Sequence, residues 1–186
     1  MEYDKTYRLL HKIQQTYSNL FLVSNKIQMV SDRYCEPFTS RQYMAMLAIL
    51  HLPEDETSYI NIAQKMGTTK QNVTQIIKSL EKKKYVYIED SKKDKRSVNV
   101  VISPMGKQAM IECGEDGSIH LMADLFKNFT EDEIDVLQKL LGKLYAFDGV
   151  SVDGYEEEIN MTEISRDSVC KALDRFEKLR NTKNKK

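Results

Sequence analysis

The hydrophobic pattern of this sequence breaks at a glycine and then shortens from a helical to a strand period between Tyr59 and Ser103, and few folds accept that order of elements. Tyr59 to Met66 puts Ile62, Ala63 and Met66 on one side of a short helix, which Gly67-Thr68-Thr69 interrupts. From Lys70 to Lys84 a second helical pattern gathers Val73, Ile76, Ile77 and Leu80 on one face, leaving Gln71, Thr74, Gln75 and Lys78 on the other. Two short segments then follow, Val86 to Asp90 and Ser97 to Ser103. In the second, Val98, Val100 and Ile102 alternate with Ser97, Asn99 and Val101, as a half-buried strand requires. Helix, glycine turn, helix with an amide-rich outer face and then a hairpin is the order of a winged helix-turn-helix.

The chemistry of that outer face fits nucleic acid. Gln and Asn amides match the N6 and N7 edge of adenine, and Lys serves guanine or phosphate. Thr69 is placed to cap the second helix, whose first-turn amides could also meet a phosphate. The hairpin tip carries Lys92, Lys93, Lys95 and Arg96 with a single acid, Asp94. Cations there suit the DNA backbone or the narrow minor groove, which favours Arg. Asp94 suits a local task, closing the turn or orienting Arg96. Many ordinary helix pairs also expose Gln and Lys, so helical facing alone leaves a plain solvated surface open.

The charge distribution points the same way. Lys+Arg and Asp+Glu are equal at 28 each, yet Lys65 to Arg96 holds ten cations against four anions, whereas Thr130 to Ser165 holds ten anions against two cations. Segregation of this kind suggests one surface for a polyanion and another kept away from it. The simpler account of Lys82 to Lys84 is a solvated helix end.

The flanking sequence is helical. Residues 2–30 space Tyr3, Tyr7, Leu10, Tyr17, Phe21 and Ile27 along one long amphipathic helix without Gly or Pro. Thr39 can cap a second helix running through Leu50, with Met44, Leu47 and Ala48 as its buried stripe. After the hairpin, Pro104 suits the first turn of a helix whose later part has Ile119, Met122, Leu125 and Phe126 on an apolar side. Thr130 and Glu133 form a capping-box pattern before a helix to Phe147 that uses Ile134, Leu137, Leu140, Leu141 and Leu144.

The segments FTSRQYMAMLAIL, INIAQKMGTTKQNVTQIIKSLEKKKYV and DKRSVNVVISPMGKQ, in this order, resemble the MarR family of winged-helix transcription regulators over most of residues 5–147. The most specific part is the D-x-R wing, Asp94 and Arg96, followed by a valine-rich strand and Ile102-Ser103-Pro104-Met105-Gly106. The resemblance implies a mainly α fold with a small β-hairpin wing, a winged helix-turn-helix joined to a helical dimerisation lobe. The expected division is an N-terminal dimerisation helix over 1–36, a DNA-binding lobe over 37–103 and C-terminal dimerisation helices over 104–147. Residues 148–186 would add an acidic linker and an extra C-terminal helix with a basic tail.

It further implies a homodimeric, sequence-specific regulator of double-stranded DNA, with repression as the expected mode and a pseudo-palindromic operator as the target. Thr69, Lys70, Gln71, Asn72, Thr74, Gln75, Lys78, Lys92, Lys93, Asp94, Lys95 and Arg96 are the expected DNA-binding residues, with Arg96 entering the minor groove and Asp94 holding it. Some relatives are released from DNA by small aromatic molecules bound between the lobes. Tyr7, Tyr17, Phe38 and Tyr43 are candidates for such a pocket, although aromatics at helical spacing are more often core. The alternative function is a winged-helix protein-protein adaptor with secondary or no DNA binding.

Two features depart from the family pattern. Gly114 and Gly117 interrupt a helix that should be continuous, which allows either a hinge between lobes or close packing of a neighbour. The extension beyond residue 148 holds VSVDGYEEE and then a helix opened by Asn160 and Glu163, with Met161, Ile164, Val169, Leu173, Phe176 and Leu179 aligned. That stripe suits packing on its own dimer lobe, a dimer seal or a protein partner.

Cys35, Cys113 and Cys170 are widely separated and form no C-x-x-C pair, which suggests reduced thiols and neither a disulfide framework nor a zinc site. Peroxide-sensing relatives use a cysteine in the first helix, where this chain has none. Cys35 follows the helix beside Glu36, an unfavourable neighbour for a thiolate. No nucleophile elbow, phosphate loop or H-x-x-x-H motif occurs, and His11, His51 and His120 are isolated, so no enzyme, cofactor or metal is expected. The start lacks a signal pattern, and Met44 to Leu50 is too short to span a membrane, consistent with a cytoplasmic location.

Overall fold

The computed structural model describes residues 2–91, 97–149 and 166–183. Helix α1 (Glu2–Ser31) is 30 residues long, about 45 Å at 1.5 Å per residue. Most of it is exposed, and only its last turn enters the core, where Ser31 is buried. The chain crosses over residues 32–39 to α2 (Ser40–Leu50), whose start is fixed by a capping box. Thr39 Oγ1 accepts from the Gln42 amide, and the Gln42 side chain accepts from Thr39 N–H.

Helices α2, α3 (Tyr59–Lys65) and α4 (Lys70–Lys82) surround one core with the hairpin β1 (Val86–Asp90) and β2 (Val98–Ile102). Met46, Ile62, Val73, Ile77, Leu80 and Val100 are its largest fully buried side chains. In α2 the buried stripe is Ala45, Met46, Ala48 and Ile49; of the expected set only Ala48 is buried, and Met44 and Leu47 line a cavity instead. The strands pair antiparallel from Val86 opposite Ile102 to Asp90 opposite Val98. The expected alternation in β2 is only partial, because Asn99 is buried along with Val100 and Ile102. The strand packs on α2 and α3, and Val100 N–H donates to the Thr57 carbonyl at 3.0 Å, so its second edge is also covered.

Helix α5 (Pro104–Glu112) begins with Ser103 Oγ accepting from Gly106 N–H. Gly106 is required by proximity, since a Cβ there would lie 2.1 Å from the Tyr85 carbonyl oxygen. A π-helical turn, Cys113–Ser118, leads into α6 (Ile119–Phe126). The turn decides between the two accounts of its glycines at Gly117, where a Cβ would stand 1.8 Å from the Tyr34 carbonyl oxygen. Close backbone packing therefore explains Gly117, whereas Gly114 has Tyr43 Oη at 3.9 Å as its nearest neighbour. In α6 the buried residues are Leu121 and Ala123, while Met122, expected inside, is exposed toward the cavity.

Thr130 and Glu133 form the expected capping box of α7 (Glu131–Tyr145), which has no buried residue in the single chain. Helix α8 (Arg166–Lys183) packs on α6. Arg175 hydrogen-bonds His120 at 2.9 Å, and Arg180 donates to the Phe129 carbonyl at 2.7 Å. The VSVDGYEEE linker and the Asn160 to Glu163 start of the extra helix lie outside the described residues.

Candidate nucleic-acid interface

The turn between α3 and α4 is built from backbone. Gly67 takes φ +59°, and Gly67 and Thr68 N–H donate to the Gln64 and Ala63 carbonyls, a helix-ending arrangement that L side chains resist. Thr69 then caps α4 by accepting from Asn72 N–H at 3.2 Å, as its position suggested. The Asn72 amide donates to Thr68 Oγ1, bracing the turn from outside. Lys70, Gln71, Asn72, Gln75 and Lys78 are exposed on one side of α4, while Val73, Ile77 and Leu80 on the other side are completely buried. Thr74 is half-buried, its hydroxyl donating to the Lys70 carbonyl. No acid occupies the first turn. The positive end of the helix dipole and the lysines therefore act together toward an anion.

At the other end of α4, Lys84 adopts φ +62°, with Lys84 and Tyr85 N–H donating to the Glu81 and Leu80 carbonyls. Lys83 turns inward. Its Nζ donates to the Pro37 carbonyl at 2.8 Å and to Gln42 Oε1 at 2.9 Å, while Gln42 Nε2 donates to Ser79 Oγ at 2.9 Å. One cation of the basic stretch thus latches α4 to the start of α2, a role that a run of three lysines gives no means of assigning to one of them.

The hairpin is closed beyond the ladder by Ser91 N–H donating to the Ser97 carbonyl at 3.0 Å. Lys92, Lys93, Asp94, Lys95 and Arg96 lie outside the described residues.

Between α1, α2, the α3–α4 turn and α6 is a cavity of about 540 Å³, within the range of small-molecule sites. Of the four aromatic candidates only Tyr43 lines it. Phe38 is in the core against Tyr43 and Tyr85, and Tyr7 and Tyr17 are exposed on α1. The cavity wall includes Arg41, whose Nε donates to Gln28 Oε1 at 3.1 Å, together with Met44, Leu47 and Leu121. Burial pushes the Tyr43 phenol up to about 12, reinforced by the nearby Cys113, so it stays a hydroxyl donor at neutral pH. Arg41 stands out in the sequence only as a cation in the first turn of α2, where the helix dipole does not favour it. Among the described residues no cluster of three or more His, Cys, Asp or Glu could hold a metal, and no helix is long and apolar enough to cross a membrane.

A capped amide-bearing helix after a glycine turn, followed by a paired hairpin on the same core, defines a winged helix-turn-helix protein. Residues 37–97 match the model of the MarR family. Members of that family are transcription regulators.

Similar solved structures extend the fold likeness well beyond the matched segment. A MarR/EmrR family transcriptional regulator from Acinetobacter sp. ADP1 is 23% identical with TM-score 0.64, covering 74% of this chain and 97% of its own. A cysteine mutant of MarR from E. coli, complexed with operator DNA, is 22% identical with TM-score 0.63, covering 72% and 95%. The organohalide-sensing transcriptional regulator RdhR, in its 2,4-dichlorophenol-bound form, is 18% identical with TM-score 0.58, covering 70% and 78%. No curated protein matches the chain.

Proposed function

We propose that this chain is a DNA-binding transcription regulator that acts as a homodimer on a pseudo-palindromic operator. The observation that carries the reading is α4: an acid-free first turn and exposed Lys70, Gln71, Gln75 and Lys78 set on a completely buried apolar face. Such a helix is rigid, presents amides and cations outward and fits the major groove. Lys92, Lys93, Lys95 and Arg96, which the sequence puts between the two strands, would serve the flanking backbone or minor groove, with Asp94 assigned to orient Arg96. Complex formation with operator DNA by the similar MarR supports this assignment.

Dimerisation is supported by apolar side chains without cover in one chain, Leu10, Leu22 and Phe21 on α1 with Leu140, Leu141 and Leu144 on α7. A dyad would set two α4 helices about 34 Å apart, one turn of DNA. The cavity beside Tyr43 and Arg41 is the proposed place for a small aromatic or phenolic effector, a reading supported by the phenol bound to RdhR.

The test is selection of duplexes from a random DNA pool by the purified protein and by Arg96→Ala, at two salt concentrations. The expected result is a palindromic motif that the variant binds more weakly by about 1–3 kcal/mol, with affinity falling steeply as salt rises. A folded protein that enriches no motif and shows no salt dependence would put the protein-protein adaptor in its place.

A further inference from the structure

Helix α7 contributes nothing to the core and has no buried residue, so its direction within the chain is set chiefly at its two ends. Its start is held through the peptide group between Phe129 and Thr130. The N–H of that peptide donates to Glu133 Oε2 at 2.9 Å, inside the capping box, and its carbonyl accepts from Arg180 of α8 at 2.7 Å. Helix α8 in turn lies on α6 and the π-helical turn, with Phe176 and Leu179 half-buried and Arg175 bonded to His120. The C-terminal extension therefore grips the junction from which α7 departs. At the other end, Tyr145 is the last residue of α7 and rests on the turn that starts α4. Its Cε2 and Oη both lie 3.7 Å from the position a Cβ would take on Gly67.

We propose that α7 is a lever that sets where α4 points, with α8 holding its base and Tyr145 as the positioning residue at its tip. Fifteen residues make α7 about 22 Å long, so a tilt of about 10° at its base would carry its tip roughly 4 Å. A displacement of that size removes the contact between Tyr145 and the turn altogether, since dispersion attraction is lost within an ångström or so of the optimum. The bond from Arg180 acts on the peptide that starts α7, where the leverage on Tyr145 is greatest.

The receiving end is stiff. Gly67 and Thr68 are tied to the Gln64 and Ala63 carbonyls, and Thr69, two residues beyond Gly67, already caps α4, so pressure on the turn moves the start of α4 as a unit. The glycine is required by its φ of +59° and not by the tyrosine, because 3.7 Å is an ordinary contact. Lys70, Gln71 and Gln75 lie within the first six residues of α4 and move with it. The consequence rests on the DNA-binding reading above. Two α4 helices in a dimer keep one separation only while both tyrosines are seated, so the lever is read out as the spacing between operator half-sites.

The experiment selects duplexes from a random pool with full-length wild type, Tyr145→Ala, Tyr145→Phe and Arg180→Met, each first matched for fold by circular dichroism and for assembly by sedimentation. Wild type is expected to enrich half-sites at one spacing. Tyr145→Ala should enrich the same half-site at several spacings and bind the wild-type operator about tenfold more weakly. Tyr145→Phe, which keeps the ring, should behave as wild type. Arg180→Met should also relax the spacing, and combining it with Tyr145→Ala should cost no more than Tyr145→Ala alone, because both act through one lever. Unchanged spacing and affinity in Tyr145→Ala would overturn the lever, and additive losses would overturn the role of α8. A second arm uses no DNA. Nitroxide labels on Lys78→Cys and on the native Cys170, exposed on α8 while Cys35 and Cys113 are buried, report the distance from α4 to α8 by pulsed electron paramagnetic resonance in protein diluted with unlabelled chains. A single narrow distance that broadens on Tyr145→Ala supports the lever even where no duplex is enriched, and then only the DNA-binding function falls. A distance equally narrow with and without the tyrosine ring overturns the lever itself.

Discussion

Single residues explain several features that otherwise read as irregularities. Gly117 lies where a helix carries another stretch of backbone at contact distance, so its missing side chain is a packing requirement. Gly117→Ala is expected to cost roughly 1–3 kcal/mol in chemical denaturation, because the Tyr34 carbonyl cannot move away as a side chain would. Gly114→Ala, whose Cβ would meet only Tyr43 Oη at an ordinary 3.9 Å, should be neutral or stabilise by about 0.5–1 kcal/mol. Equal effects of the two would contradict the packing account. Tyr43 gives a pH signature. Its folded value of about 12 lies above the ordinary tyrosine value of 10.0, so between these the unfolded chain has released a proton that the folded chain keeps. Stability contributed by Tyr43 is present below about pH 10 and lost as pH rises toward 12, on the order of 2–3 kcal/mol. Denaturation at pH 9 and pH 11.5 should show a smaller decline for Tyr43→Phe than for wild type.

At the scale of elements, the ends of α4 do as much as its faces. Its start is set by the Gly67 turn and the Thr69 cap, and its finish by the Lys84 turn and the Lys83 latch to Gln42 and Pro37. The family signature at Ser103 and Gly106 has a comparable physical basis, since α5 can approach the Tyr85 carbonyl only without a side chain at Gly106. Lys83 and Lys78 look alike in sequence but differ in what they hold. Lys83→Ala is expected to lower stability by about 1 kcal/mol and leave the salt dependence of DNA binding unchanged. Lys78→Ala should spare stability and reduce the slope of log affinity against log salt by about 1. Measuring denaturation and salt titration side by side distinguishes the two, and an unchanged slope for Lys78→Ala would remove it from the interface.

At the scale of the whole molecule, the long helices α1 and α7 are incomplete alone. Leu22 is 66% exposed and Leu141 47% exposed, and both lie on helices that contribute little to the core of their own chain. Leu22→Glu together with Leu141→Glu is expected to leave the circular dichroism of the fold intact, convert a dimer to a monomer in sedimentation and weaken operator binding by about tenfold or more. A monomeric wild type would reject the proposed dimer. Helix α8, in contrast, is anchored within its own chain on α6 through Arg175 and His120, although Leu173 is exposed.

Local patterns were enough to specify the helix-turn-helix, its caps and the hairpin, because period, capping residues and turn glycines act within a few residues of themselves. They also identified the amide face of α4, since a helix with one completely apolar side leaves no doubt which side faces out. Contacts between distant segments were beyond them. Cys35 meeting Cys113, Gly117 meeting the Tyr34 backbone, Lys83 turning toward Gln42 and Tyr43 lining the cavity without Tyr7 or Tyr17 all depend on how whole helices cross. Crossing geometry is a property of the packed core, decided by many side chains at once, and no short stretch of sequence carries it.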